Sequence, residues 1–206
     1  MVKNLFNVLK KDPYALTGVL IYLFFILVAI FADLIAPNDP LRILFNSGGL
    51  ARNIDPGREF LLGTTSNGRD IFSQLVYGSR NALYVGLTAA LAVALVGTIV
   101  GLISGYFGGW LDNLIMRCAD ITLGIPFLPF VIVLAAFLGP SSWNVVIAIS
   151  ILLWPNSGRV IRSQVLSLRE RAYIESAKVS GCSNFRIIFI HIGPNILPLS
   201  FLYGSI

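Results

Sequence analysis

The chain is 206 residues long, with 56% apolar residues, 12% charged residues and a formal net charge of +5. Soluble domains carry about 25% charged residues, so this chain lacks the polar surface of a soluble globule and reads as an integral membrane protein. Two cysteines, Cys118 and Cys182, and one histidine, His191, stand in no CxxC or Cys/His ligand spacing. They support neither a metal nor a redox role, and the positive balance reads as a topology signal rather than a nucleic-acid footprint.

The first apolar run is Leu16–Ala36, preceded by Lys3, Lys10 and Lys11 and carrying Asp33 as its one charge, near its end. A membrane-spanning helix needs about 20 apolar residues. With no small-x-small cleavage site at its end, the run reads as a retained first helix. Residues 37–80 hold turn chemistry in APNDP, NSGG, DPG and Asn67-Gly68. Asp70 is expected to cap a short surface-lying helix that begins at Ile71, ahead of the second span.

The second span, Ala82–Leu111, is uncharged and places Gly97, Gly101, Gly105 and Gly109 at intervals of four. Small residues at that spacing let another helix approach closely. Both a tight contact within a transport core and ordinary helix packing account for it. Gly108-Gly109 fit a turn, with Asp112 expected to cap the helix after it. The third span, Ile121–Ser142, contains Pro126 and Pro129 after Gly124. Prolines break the backbone ladder and kink a helix, so a pathway-lining hinge and a static kink are both open. Arg117 and Asp120 read as an interfacial pair ahead of a proton relay. The fourth span, Trp143–Gly158, is short and can lengthen if Arg159 and Arg162 snorkel. The fifth is Ile187–Ile206. No charge is expected deep inside a span.

Lys and Arg mark the inner side of a membrane. The N-terminus is basic, and segment 159–186 carries Arg159, Arg162, Arg169, Arg171, Lys178 and Arg186 against Glu170 and Glu175. Both therefore lie inside, with loop 37–80 outside. The basic residues of that loop (Arg42, Arg52, Arg58, Arg69, Arg80) pull the other way.

Leu168 to Ser180 is a run of helix formers, with Tyr173, Ala177 and Ser180 spaced for one side and Glu175 and Lys178 three apart. Gly181 provides a stop, and Ser183 or Asn184 can cap the helix that leads into the fifth span. The result is a short inside helix, a sharp turn and a membrane helix. A small-faced helix of this kind suits docking into a groove on another protein, and a basic loop held at lipid headgroups is the alternative.

The stretch YIESAKVSGCSNFRIIFIHIGPN resembles the EAA loop of permease subunits of ATP-binding cassette importers. That pattern is Glu-Ala-Ala, three residues, Gly, then Pro thirteen residues on. Glu175-Ser176-Ala177, Gly181 and Pro194 match it, while Ser176 replaces the first Ala and Gly193 a usual Leu. LLGTTSNGRDIFSQLVYGSR and GLISGYFGGWLDNLIMRCADITLGIPFLP resemble the dipeptide, oligopeptide and nickel branch, with Thr65 at a usual Asp and Gln74 at a common Arg position.

The resemblance implies an all-α polytopic helical bundle of the importer permease (MetI-like) type. Residues 1–80 would form a cytoplasmic stub, first helix and outer loop, and residues 81–206 a core permease domain with a cytoplasmic coupling loop at 168–186. It implies as partners a second homologous permease, two cytoplasmic ATPase subunits, an extracytoplasmic binding protein and the lipid bilayer of the cell membrane. Tyr173, Glu175, Ser176, Ala177, Lys178, Gly181 and Pro194 would couple to the ATPase. Gly97, Gly101 and Gly105 would pack helices, and Pro126 and Pro129 would kink one. No catalytic residue, metal or cofactor is expected, and since the chain has no GxxxxGK[ST] phosphate loop of its own the energy must come from a partner.

A secondary transporter, a membrane enzyme and a scaffold subunit are the rival classes. The first would show mid-membrane ionisable residues or inverted repeats, and the second a clustered nucleophile or metal set. The substrate is not legible; the branch covers dipeptides, oligopeptides, nickel complexes and some sugars, with selectivity held largely by the binding protein. Asp33, Asp70 and the outer loop are candidates for contacting it. Ile206 falls inside an apolar run where the family continues through a sixth span. The chain is therefore expected to be partial and not to transport alone.

Overall fold

The structure, a computed structural model, describes residues 12–46 and 48–204. Lys3, Lys10 and Lys11 lie outside the described residues. The contacts form two compact units divided between Tyr84 and Val85.

In the first unit, helix α1 (Pro13–Ile30) starts where the Asp12 carboxylate accepts the Tyr14 and Ala15 N–H groups and Pro13 presets the first turn. The expected single run Leu16–Ala36 is instead α1, a break at Phe31 and a one-turn helix α2 (Ala32–Ile35). Just past α1, the Asp33 carboxylate accepts from the Tyr77 hydroxyl at 2.8 Å and the Arg80 guanidinium at 3.2 Å. The hydroxyl first, then the guanidinium, hold that carboxyl below its ordinary range. Arg80 also donates to the Ala29 carbonyl.

The loop that follows is well built. A two-residue hairpin pairs β1 (Phe45–Asn46) antiparallel to β2 (Gly49–Leu50), a small exception to the all-α expectation. Thr64 is buried, donating to the Ala51 carbonyl at 2.6 Å and accepting the Ile54 N–H. Thr65 accepts the Arg69 N–H, and the Gln74 amide donates to the Pro40 carbonyl, so both departures from the branch pattern have local partners. Asp70 caps the next helix as expected, accepting from the Phe72 and Ser73 N–H groups, the Ser73 hydroxyl and the Asn38 amide.

That helix, α3 (Ile71–Phe107), is continuous over 37 residues. The separate surface helix expected at Ile71 does not exist, because nothing between Ile71 and the apolar run breaks a helix. The stretch contains no proline, and glycine alone costs only about 1 kcal/mol.

In the second unit, α3 turns at Gly108-Gly109 into α4 (Gly109–Leu123). After a break comes α5 (Phe127–Leu138), bent from α4 by 88°. Helix α6 (Ser142–Arg169) begins at a Ser141 cap and contains a buried Pro155. Then come α7 (Ala172–Val179), α8 (Asn184–Arg186), a π-helical segment Ile187–Ile192 and α9 (Gly193–Gly204). The π segment precedes Pro194, which has no N–H and whose ring would collide with the carbonyl four residues back in an α turn. The wider turn bonds the Gly193 N–H to Ile188 O, and the Asn195 amide takes the His191 carbonyl at 2.9 Å.

Among the described residues three helices are long and apolar enough to cross a membrane, α1, α3 and α6, or four if the bent pair α4–α5 is one span. The fifth expected span is helical over residues 184–204 but divided by the π segment. Large apolar side chains along α1 and α5 face outward, as hydrocarbon-facing helices require. The protein is a multi-pass helical membrane protein.

Candidate functional site

The segment singled out by sequence lies where α6, α7, α8 and the π segment meet. Two residues, Glu170 and Arg171, separate α6 from α7. The Arg171 carbonyl accepts the Ile174 and Glu175 N–H groups. Helix α7 ends in a Schellman turn: Cys182 N–H donates to Ala177 O and Gly181 N–H to Lys178 O, both at 3.0 Å. Gly181 sits at φ +79°, the left-handed region where glycine carries no Cβ penalty. The Ser183 hydroxyl then accepts the Arg186 N–H and opens α8.

One face of α7 is fused to the protein. Ile174 is fully buried and Ala177 is 9% exposed, in a cluster with Leu102 of α3, Ile161 and Val165 of α6, and Ile187, Ile188, Ile192 and Ile196. Tyr173, Ala177 and Ser180 therefore do not form one outward face: Ala177 points into the core while Tyr173 and Ser180 are exposed. The free face is Ala172, Glu175, Ser176 and Val179, with Val179 90% exposed. The cause is the three-residue step from Ile174 to Ala177, which puts these two side chains on the inner side of a short helix. Sequence reasoning missed Val179. Its signal was an apolar side chain opposite Ile174 and Ala177.

Lys178, whose ammonium sits 5.8 Å from the centre of the Tyr106 ring, lies beside the end of α3. The Tyr106 hydroxyl donates to the Asn184 side chain at 2.8 Å, so one tyrosine bridges α3, α7 and α8. Nothing in the sequence pointed to it. Glu175 and Ser176 are exposed, and the Ser176 hydroxyl bonds the Ala172 carbonyl. Pro194 is exposed, at the start of α9.

Behind this junction the glycine stripe of α3 seats α6. A Cβ on Gly97 would collide with the Ser157 hydroxyl; on Gly101 it would stand 2.7 Å from Ile161 Cβ, and on Gly105 2.7 Å from Val165 Cβ. Gly109 does not belong to the stripe, since it lies at φ +58° in the turn. The bend after α4 falls at Gly124–Pro126. Pro126 is the N-cap of α5 and Pro129 lies in its first turn, where a missing N–H has no partner to lose.

Charged side chains also pair between the helices. Asp112, 6% exposed, is not the cap of α4, whose N-cap is Gly108; it receives Arg162 of α6 in a two-pronged pair, Nε to Oδ1 and Nη2 to Oδ2, both 2.5 Å. Arg159 binds Asp120 at 2.5 Å, with Arg117 at 3.9 Å from the same carboxylate. Arg159 and Arg162 are thus paired across helices and not simply extended toward water.

The chain matches the family model described as binding-protein-dependent transport system inner membrane component over residues 97–203. Residues 2–56 match the N-terminal TM domain of oligopeptide transport permease C. It is 44% identical over 195 residues to the dipeptide transport system permease protein DppC of Alkalihalophilus pseudofirmus, covering 95% of this chain and 63% of that protein. Against the oligopeptide transport system permease protein OppC of Escherichia coli K12 it is 43% identical over 156 residues, 76% of this chain and 51% of that one. A glutathione transport system permease protein, GsiD of Shigella flexneri, is 40% identical over 185 residues, 90% and 60% of the two chains. The chain spans between half and two thirds of the length of these relatives.

Proposed function

Because the chain belongs to the family of binding-protein-dependent transport system inner membrane components, we propose that it forms half of a translocation pathway driven by separate ATPase subunits. In this reading α7, within loop 168–186, is the coupling helix. Its free face of Ala172, Glu175, Ser176 and Val179 enters a groove of a cytoplasmic ATPase subunit. A second, related permease completes the pathway, and an external binding protein delivers the solute to it. Residues 81–206 are the core permease, residues 1–80 carry the first helix and outer loop, and the N-terminus is cytoplasmic. The solutes are peptides or similar small molecules, after the dipeptide, oligopeptide and glutathione named for the relatives.

The observation that carries the reading is the two-sidedness of α7. A helix of eight residues is too short to be stable by itself. Here its inner face is packed into the same apolar cluster as α3, α6 and the π segment, while its outer face is exposed among the described residues. A push on the outer face therefore moves the ends of the spans. A headgroup-bound basic loop would have no need of so firm an attachment.

The test is a crosslink from Val179→Cys to a cysteine in the groove of the co-expressed ATPase subunit, with Cys118 and Cys182 replaced. A crosslink whose yield changes with nucleotide is the expected result. An assembled complex that gives none would remove the coupling role and leave α7 at the headgroups.

A further inference from the structure

The last eleven residues of α6 carry three arginines, and each is committed to a different neighbour. Arg159 pairs with Asp120 near the far end of α4. Arg162 grips Asp112 near its start with both prongs of the guanidinium. Arg169 donates to the Gly105 carbonyl at 3.1 Å, in the last turn of α3. Between Gly105 and Asp112 lies the Gly108-Gly109 turn, both glycines at positive φ, with no side chain to limit rotation there. Helix α6 thus holds the chain on both sides of the Gly108-Gly109 turn, and two residues later it becomes α7.

We infer that the Asp112–Arg162 pair is the positioning element that makes α4 follow α7. The inference rests on the proposed coupling role of α7. Covalently, α4 hangs from α3 only through the two glycines, so its angle is set by what it is bonded to sideways. A two-pronged guanidinium–carboxylate contact fixes direction as well as distance, which a single-point ammonium cannot do. Asp112 is almost wholly buried and the pair sits three residues into α4. A tilt of the end of α6 is therefore passed to α4, and through the 88° bend to α5. With the contact cut, Arg159–Asp120 still ties the far end of α4 to α6, but the start of α4 beside Gly108-Gly109 loses its directional hold and lags while α7 moves.

The test uses the complete importer, this permease with its permease, ATPase and binding-protein partners, in proteoliposomes. Uptake of a radiolabelled dipeptide and ATP hydrolysis are measured together, with the Val179→Cys crosslink as a third reading. For Asp112→Asn and Arg162→Lys the expected result is a loss of at least tenfold in dipeptide taken up per ATP. Hydrolysis is expected within about threefold of wild type, and the crosslink retained. The exchanged pair, Asp112→Arg with Arg162→Asp, should recover at least half of the lost ratio. An unchanged ratio in the single variants overturns the inference, as does a parallel fall of uptake and hydrolysis in an assembled complex, or an exchanged pair without recovery. Absence of the crosslink in the otherwise wild-type complex overturns the coupling reading itself, a separate failure.

Discussion

At Gly101 an added Cβ would lie 2.7 Å from Ile161 Cβ and 2.8 Å from the Gly158 carbonyl oxygen, and neither is the loose end of a side chain. Either α3 and α6 separate or the backbone shifts, at the ~1–3 kcal/mol typical of overpacking. Gly101→Ala should therefore lower the thermal unfolding midpoint of the detergent-purified protein. Gly86→Ala in the same helix, where nothing lies within 4 Å of the new carbon, should leave it unchanged or raise it. Equal shifts would mean that the stripe is not a contact. The interval of four announced this stripe, but its last member was set apart only by the turn. Spacing alone cannot distinguish a glycine that admits a neighbour from one that admits a backbone angle. Asp112 was misjudged for a similar reason. An acidic residue after Gly-Gly reads as a cap, and the arginine that claims it stands 50 positions away.

At the level of the element, α7 depends on its inner side chains. Ile174 is fully enclosed, and Ile174→Ala removes buried methylenes at about 2–5 kcal/mol. The expected outcome is faster hydrogen exchange at the amides of residues 172–179, with Val179→Ala, on the open face, leaving exchange unchanged. Exchange that rises equally in both would place the two side chains in equivalent surroundings. Much of this element could be read beforehand: the helix, its glycine stop and the Ser183 cap all follow from local chemistry. Its orientation could not, because an eight-residue helix has two turns and the spacing fits more than one face. The bend between α4 and α5 was half legible. Two prolines announced a break, but only the one that caps α5 stands at it. The other lies in a first turn that tolerates it.

For the whole molecule, the charge pattern argues for opposite sides of the membrane for the 37–80 loop and α7. Single cysteines at Arg58 and Ser176, in a protein lacking Cys118 and Cys182, should react with an impermeant maleimide differently. The first should label in intact cells and the second only after lysis. Labelling of both from one side would reverse the reading of the spans. Helix content and most spans were evident from apolar runs. The continuity of α3 follows from the lack of a proline after Ile71, but the order within the outer loop was not evident, because it depends on Asn38 and Thr64 finding partners distant in sequence. The π segment has its own bearing on the assembly. An α-helix turns about 100° per residue, and a π turn holds one residue more than an α turn between bonded groups. The chain between α8 and α9 therefore carries, in effect, a single-residue insertion that Pro194 keeps in place. Removing one residue from Ile187–Ile192 would let the run close up as ordinary helix with α9 keeping its direction relative to α7, whereas winding all six residues as α-helix would swing α9 by about 100°. The aim of α9 with respect to α7 is thus encoded in the winding of one turn, and a change of winding at fixed length would re-aim it without breaking it.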